Sequence, residues 1–309
     1  MLKAFVTGAG GFVGKYLVTH LQTLGYTVYA GCRNGKKQDF SDEVIPVSLD
    51  VTNKNAVNQI IREIKPSEVY HLAAISHPAS NNFHAFYEVN LQGTLNILEA
   101  AKSIDCAILI VSSAYVYGRY DSLIKEDFQL EPVNHYGVSK AAADMLAYSY
   151  ALQGQRVIRV RPFNHSGPGQ PPSFLLPTLV EQLSKIEAGL VPPVIKLGNL
   201  DSVRDFMDVR DVVRAYPLLL KHGANGAAYN LCSGQATSVQ QLFDLICDLS
   251  SVDITLEVES FRKRQTDIPY LVGDASKIKS VIDWRREIEL KVTIGDMLDV
   301  LSQGELISN

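Results

Sequence analysis

The chain has 309 residues, of which 46% are hydrophobic and 20% are charged, and its formal net charge is −4. This length and apolar fraction are enough for a core in one large domain or two closely packed ones, and they exclude an intrinsically disordered chain. The modest negative charge, without a clustered basic face, argues against a nucleic-acid partner.

The N-terminal segment and the cysteines bear on the cellular setting. The apolar positions near Met1 give way to glycines far too early for a signal sequence or a membrane span. The four cysteines are scattered, with no CxxC pair and no histidine cluster, so neither a disulfide framework nor a metal site is indicated. We therefore expect a soluble, cytoplasmic protein that does not bind membranes.

Short apolar runs alternate with amphipathic stretches through the first half of the chain. This alternation is typical of βαβ units and predicts an α/β fold, a Rossmann doubly wound parallel sheet covered on both faces. The predicted strands lie in LKAFVTG, TVYAG, EVYHLA, AILIVSS and RVIRVRP, and the predicted helices span 12–24, 52–64, 83–102 and 136–152.

The sequence changes character after residue 163, where HSGPGQPPSF indicates a loop rich in glycine and proline. A further helix is predicted over 175–188. We expect residues 1–163 plus roughly 203–231 to form the NADP-binding domain, and roughly 164–202 plus 232–309 to form a smaller C-terminal substrate-binding lobe.

A GxxGxxG pattern formed by Gly8, Gly11 and Gly14 lies between the first predicted strand and helix. A dinucleotide pyrophosphate binds at such a helix N-terminus, so this loop, with Phe12 and Val13, is predicted to hold a nicotinamide cofactor. A glycine turn that serves only tight helix packing is the alternative.

The residues after the second predicted strand bear on the choice of cofactor. NAD-binding sites usually place an acidic residue about 20 positions beyond the glycines, where it accepts hydrogen bonds from the adenosine ribose. Here no acid occurs before Asp39, and Arg33 could pair with a 2′-phosphate. We therefore predict NADP(H), leaving use of NAD(H) open, and Arg33 as a solvated loop charge is the alternative.

Tyr136 and Lys140 are four residues apart at the start of a predicted helix, so both side chains emerge on one face. An adjacent ammonium favours the phenolate, which would ease proton exchange with a carbonyl oxygen, and Lys140 could also hold the nicotinamide ribose. Ser112 and Ser113 end a predicted strand at the ligand-binding edge of the sheet, where a hydroxyl can polarise a substrate carbonyl. A surface YxxxK and a strand-end serine cap are the alternatives.

Nearly the whole chain resembles the extended short-chain dehydrogenase/reductases, through the segments TGAGGFVG, LDVTN, HLAA, VNLQGTLNILEA, SSAYVYG, YGVSK, RPFN and RDFMDVRDV. The resemblance implies an oxidoreductase with Ser113, Tyr136 and Lys140 as catalytic residues. It also implies a set of cofactor-lining residues, with Asp50 and Val51 near the adenine, followed by Leu72, Ala73 and Ala74.

The segments RPFNHSGPGQ and VRDFMDVRDVVRAY further resemble GDP-4-keto-6-deoxy-D-mannose reductases, which form GDP-D-rhamnose. This resemblance implies NADPH-dependent reduction of the C4 ketone of a GDP-linked 4-keto-6-deoxy sugar, with Asn164, Arg204 and Arg264 on the diphosphate. Forked guanidinium donors suit diphosphate oxygens, although both arginines could instead be paired with nearby aspartates. His165 either touches the sugar or satisfies a loop carbonyl.

Dehydratases of this family carry acidic residues directly after the catalytic threonine, whereas this chain has Ala114 and Tyr115. Elimination of water then lacks its proton shuttle, while ketone reduction needs none. A nucleotide-sugar 4-epimerase or 4,6-dehydratase of the same family is the alternative, and a non-catalytic dinucleotide sensor is a remote one. By analogy with related reductases, we expect a homodimer that pairs through the helices over 83–102 and 137–152.

Overall fold

The computed structural model describes residues 2–33, 40–77, 82–259 and 268–307, with side chains up to residue 302. Seven strands form one parallel sheet whose chain order reverses between its third and fourth members. In spatial order they are β3 (Ile45–Ser48), β2 (Thr27–Cys32), β1 (Lys3–Thr7), β4 (Glu68–His71), β5 (Ala107–Val111), β6 (Arg156–Pro162) and β11 (Ala228–Leu231). The predicted doubly wound Rossmann sheet is therefore confirmed.

Helices cover both faces of the sheet, because successive side chains of each strand point to opposite faces. In β1, Ala4 and Val6 belong to one buried core and Phe5 belongs to the other. The covering helices are α1 (Phe12–Thr23), α2 (Lys54–Ile64), α4 (Gly93–Ala101), α5 (His135–Leu152) and α7 (Val209–His222). Helices α1 and α7 cover the first face, and α2, α4 and part of α5 cover the second.

The helix predicted over 83–102 is continuous but changes pitch. It begins as α3 (Phe83–Phe86), passes through a π-helical segment, Tyr87–Gln92, and continues as α4. Such π-helical segments occur frequently at functional sites. This one contains the buried Asn90, whose side chain bonds the backbone of Ile75, four residues beyond β4.

A third buried core, separate from the two that flank the sheet, is contributed mainly by three helices, α6 (Leu175–Glu187), α8 (Val239–Leu249) and α10 (Leu290–Ile307). The short elements of the C-terminal half are β7 (Asn164–Ser166), β8 (Val194–Leu197), β9 (Val203–Arg204), β10 (Phe206–Asp208), β12 (Thr237–Ser238), β13 (Thr255–Val258), β14 (Tyr270–Leu271) and α9 (Ser276–Val281). Within the range 232–309 predicted for the lobe, Leu271, Ile278 and Trp284 belong to the same buried core as helices α1 and α7.

The described ranges bear on membrane spans and metal sites. No helix in them is both long and apolar enough to cross a bilayer. Nor do these ranges contain a cluster of three or more His, Cys, Asp or Glu side chains that could hold a metal ion.

Candidate active site

The glycine loop joins β1 to α1 and packs against the segment that follows β4. Gly8 has a φ of +71°, and a Cβ there would lie 2.8 Å from the backbone nitrogen of Ala73. A Cβ at Gly14 would overlap the carbonyl oxygen of Gly8. Gly11 is the N-cap of α1 and offers no capping side chain, so the first turn presents its N–H groups to an anion. The loop therefore fits a dinucleotide pyrophosphate.

The predicted adenosine-side residues are neighbours in the structure. Hydrogen bonds from the N–H (2.9 Å) and hydroxyl (2.7 Å) of Thr52, and more weakly the charge of Arg33, lower the pKa of the Asp50 carboxyl. The exposed Arg33 therefore lies within electrostatic reach of Asp50. Val51 is buried, and its carbonyl accepts a 2.9 Å hydrogen bond from Asn96 Nδ2.

The predicted cofactor-lining segment 72–74 continues directly from β4 and is bonded to β1. The N–H of Leu72 donates to the carbonyl oxygen of Thr7, and the N–H of Ala73 donates to the hydroxyl of Thr7, each at 3.2 Å. Together with the close approach of Ala73 to Gly8, these bonds place the segment beside the glycine loop.

A fully buried histidine, His71, links β1, β4 and α4. Its Nδ1 lies 2.8 Å from the hydroxyl of Thr7, and its Nε2 lies 3.1 Å from the hydroxyl of Thr94. Because Thr94 donates its one hydroxyl proton to the carbonyl oxygen of Asn90 (2.6 Å), it accepts from Nε2–H, and Thr7 donates to Nδ1. Burial, with a smaller effect of the Lys140 charge, lowers the pKa of His71 to about 3, so the ring is neutral at pH 7 and its Nδ1 accepts from Thr7.

Asn90 connects the cofactor-lining segment to the helix that carries the site tyrosine. Its amide bonds both backbone groups of Ile75, accepting from the N–H at 2.8 Å and donating to the carbonyl oxygen at 3.2 Å. It also donates to the hydroxyl of Ser139 at 3.0 Å, which donates to the carbonyl oxygen of Tyr136 at 2.8 Å. The sequence reasoning assigned no role to His71 or Asn90, although both lie in motifs that carried the family resemblance.

Ser113, Tyr136 and Lys140 converge at the carboxyl end of β5. The hydroxyl of Ser113 lies close enough to the phenol of Tyr136 to lower the pKa of that phenol. The Nζ of Lys140 donates to the carbonyl oxygen of Val111 at 2.5 Å. All three site side chains are buried. Ser113 follows the end of β5, and Tyr136 and Lys140 lie in the first two turns of α5, so these two elements assemble the predicted constellation.

Burial governs the protonation of this constellation. It raises the pKa of Tyr136 to about 12, with a smaller opposing effect from the nearby Ser113 hydroxyl. It also lowers the pKa of Lys140 to about 8, against the influence of the Asp144 carboxylate. The sequence led us to expect Lys140 to bring the phenol toward neutral pH, but burial outweighs such an effect here. Tyr136 is therefore a protonated phenol at neutral pH, suited to donating a proton.

Asp144, one turn beyond Lys140, fixes α5 to β6. Its fully buried carboxylate accepts from Nε and Nη2 of Arg161 at 3.0 and 2.9 Å, and from Nη1 of Arg159 at 2.5 Å. Burial alone would raise the pKa of Asp144, but these guanidinium groups lower it. Ser112, predicted to bind substrate, lies beside this carboxylate, so it is Ser113 whose hydroxyl meets Tyr136.

The predicted diphosphate residues come from neighbouring short strands. Asn164 begins β7 and pairs with Phe206 of β10, two residues beyond Arg204. Nη1 of Arg204 donates to the backbone carbonyl oxygens of Val203 and Pro269 at 2.9 and 3.3 Å. These bonds hold one side of the guanidinium against the backbone.

The remaining predicted positions in this region are His165 and Arg264. Nδ1 of His165 donates to the carbonyl oxygen of Phe163 at 2.9 Å, and its ring lies parallel to that of Phe12 with centroids 6.5 Å apart. Of the two roles considered for His165, the structure shows the bond to the loop carbonyl. Arg264 lies outside the described residues.

Comparisons with known proteins agree with this geometry. The family model described as GDP-mannose 4,6 dehydratase matches residues 5–297. The chain is 33% identical to GDP-6-deoxy-D-mannose reductase of Pseudomonas aeruginosa over 304 residues, 96% of each protein. It is also 33% identical to GDP-6-deoxy-D-talose 4-dehydrogenase of Aggregatibacter actinomycetemcomitans over 286 residues, 91% of each. The structure of RMD from Pseudomonas aeruginosa complexed with NADPH is similar, with a TM-score of 0.87, 31% identity and coverage of 98% of this chain and 100% of that one.

Proposed function

Because the chain belongs to the GDP-mannose 4,6-dehydratase-like family of extended short-chain dehydrogenase/reductases, we propose that it reduces the C4 ketone of GDP-4-keto-6-deoxy-D-mannose with NADPH to give GDP-D-rhamnose. One structural observation supports this activity most strongly. The Ser113 hydroxyl lies beside the phenol of Tyr136, and the two residues after Ser113 are Ala114 and Tyr115, neither of which carries a carboxylate.

The site residues divide the work of a ketone reduction. When bound, the nicotinamide would supply a hydride to the carbonyl carbon. The Ser113 hydroxyl donates a hydrogen bond to the carbonyl oxygen, and Tyr136, a phenol with a pKa of about 12, gives that oxygen its proton. The Lys140 ammonium, anchored at the carbonyl oxygen of Val111, has further N–H donors for the nicotinamide ribose.

The residues around the glycine loop support NADPH as the cofactor. The close packing of Gly8 and Gly14 leaves room for backbone approach to a pyrophosphate, and α1 begins directly behind it. Arg33 is exposed at the end of β2, where it would pair with a 2′-phosphate. Use of NADH as well remains compatible with this arrangement.

Two relatives at the same 33% identity differ in the sugar that they handle, one a 6-deoxy-D-mannose and the other a 6-deoxy-D-talose. These sugars are C4 epimers, so the second candidate activity is formation of GDP-6-deoxy-D-talose from the same ketone. The face of the ketone that the pocket presents to the nicotinamide decides between the two products.

A direct assay tests the proposal. The purified enzyme should oxidise one NADPH for each molecule of GDP-4-keto-6-deoxy-D-mannose. Proton NMR of the product should show large couplings of the C4 hydrogen to its C3 and C5 neighbours for the rhamnose, and small ones for the talose. Reduction of UDP- or dTDP-linked ketones alone would remove the nucleotide assignment, and dehydration of GDP-mannose without net use of NADPH would remove the reductase assignment.

We further propose that the protein is a homodimer paired through α5 and the helical segment 83–101. Val138, Met145 and Leu152 follow one another at seven-residue spacing along α5 and are 39%, 63% and 71% exposed. An exposed apolar stripe of this kind favours contact with a second helix pair. Light scattering on the wild type and on Met145→Glu should show a dimer and a shift toward monomer. The cytoplasmic location stays a prediction, which cell fractionation would test.

A further inference from the structure

Two aromatic rings contact the ring of Tyr136, and one of them carries a hydroxyl. The ring of Tyr115 meets it edge-on, with centroids 5.7 Å apart and an angle of 69° between the planes. The ring of the fully buried Phe86 lies 6.0 Å away at an angle of 58°. Tyr115 therefore brings a second phenol next to the proton donor of the site.

The backbone of Tyr115 is held in the same arrangement. Its N–H donates to the hydroxyl oxygen of Ser113 at 3.2 Å, which leaves the Ser113 proton for another acceptor. A Cβ on Gly137 would lie 2.6 Å from the carbonyl oxygen of Tyr115, so this segment packs directly on the first turn of α5. These two contacts hold the backbone of Tyr115 in place, and its side chain projects from this fixed position.

The hydroxyl of Tyr115 differs from those of two other partly exposed tyrosines, Tyr87 and Tyr120. The hydroxyl of Tyr87 bonds to Nδ1 of His135 at 2.8 Å, and the hydroxyl of Tyr120 donates to the carbonyl oxygen of Gln129 at 3.0 Å. No hydrogen bond within the described ranges involves the hydroxyl of Tyr115, although its ring is half-buried. Tyr115 also raises the pKa of Tyr136, after the larger effects of burial and of Ser113.

We propose that Tyr115 is a substrate-binding and specificity residue, whose phenol hydrogen-bonds a hexose hydroxyl adjacent to the reacting C4. This inference rests on the proposed function. A phenol both donates and accepts hydrogen bonds, so it suits a sugar hydroxyl. A sugar without the matching hydroxyl would bury the Tyr115 phenol with no hydrogen-bond partner, which costs binding free energy. At the position where related dehydratases carry an acid, this chain therefore has a group that selects the sugar.

The test compares Tyr115→Phe with the wild type and with Tyr148→Phe, a control on the exposed side of α5. Loss of one neutral hydrogen bond should raise the KM for the GDP-linked ketone about three- to tenfold, with kcat and the KM for NADPH within about twofold. Calorimetry should show that Tyr115→Phe weakens the binding of GDP-mannose and leaves the affinity for GDP unchanged.

The outcomes separate this inference from the proposed function. If the wild type reduces the GDP-linked ketone but Tyr115→Phe and Tyr115→Leu keep wild-type KM and GDP-mannose affinity, Tyr115 does not bind the sugar. Equal weakening of GDP and GDP-mannose also overturns the inference, because the loss would then lie at the nucleotide. If the wild type neither reduces a GDP-linked ketone nor binds GDP-mannose, the proposed function and this inference fail together.

Discussion

The ammonium of Lys140 donates a 2.5 Å hydrogen bond to the carbonyl oxygen of Val111, the last residue of β5. This bond joins the helix that carries Tyr136 to the strand that leads into Ser113. The reactive groups are thus held by regular secondary structure, and conservative variants at them should alter chemistry while the fold persists.

Tyr136→Phe should lower kcat about 10²–10⁴-fold, the usual contribution of one general acid, while the Kd for NADPH stays near the wild-type value. The variant removes only the phenol hydroxyl, so the packing against Phe86 and Tyr115 remains. Steady-state rates and fluorescence titration with NADPH measure the two effects, and Tyr148→Phe on the same helix serves as the control. A near wild-type kcat for Tyr136→Phe would assign the proton transfer to another group.

The affinity for NADPH should fall as the pH rises through about 8. Burial lowers the pKa of Lys140 to about 8, so the ammonium that would hold the nicotinamide ribose is present below that pH and lost above it. Fluorescence titrations between pH 6.5 and 9.5 follow this loss. Lys140→Met should bind NADPH weakly at every pH, whereas Lys102→Met, at an exposed site on the end of α4, should keep the wild-type profile. A pH-independent wild-type Kd would contradict the prediction.

Arg33→Asp should shift the preference from NADPH toward NADH. The variant loses a guanidinium that would pair with the 2′-phosphate and adds a carboxylate that repels it, beside the existing carboxylate of Asp50. A charged hydrogen bond contributes about 1.5–3 kcal/mol, so the ratio of kcat/KM for NADPH over NADH should fall at least tenfold. Arg62→Asp, at an exposed position on α2, is the control. An unchanged ratio would mean that Arg33 does not contact the cofactor.

His71 should make the fold sensitive to acid. Its pKa is lowered to about 3 in the folded state, so the unfolded chain binds a proton more readily below its ordinary value near 6.5. The contribution of neutral His71 is complete above pH 6.5 and declines as the pH falls toward 3, by up to about 1.4 kcal/mol per pH unit.

Urea unfolding at pH 7, 6, 5 and 4 measures this dependence. His71→Asn should be less stable than the wild type at pH 7 but should lose less further stability on acidification. His84→Asn, at an exposed position of α3, should follow the wild type. If the free energy of unfolding fell equally with decreasing pH in the wild type and in His71→Asn, groups other than His71 would cause the loss.

The sequence by itself determined the features that depend on neighbouring residues. The glycine loop was predicted because turn geometry and helix starts are local, and strands β1, β5 and β6 were predicted because each carries its apolar pattern within five to seven residues. The relation of Tyr136 to Lys140 is one turn of helix and needs no tertiary information. The short strand β3, Ile45–Ser48, was missed, since its half-exposed four residues give little pattern.

Only the tertiary structure decided which distant groups meet and how strongly they are buried. The link from Thr7 through His71 to Thr94 joins residues 64 and 23 positions apart, and local sequence patterns do not specify such contacts. The strand pattern alone does not separate Ser112 from Ser113, and only the family resemblance singled out Ser113, because their surroundings differ only once β5, β6 and α5 are packed. The same holds for the pKa of Tyr136, which the local charge of Lys140 led us to expect lower. Burial raises it instead, because the cost of a buried charge is set by the whole surrounding fold.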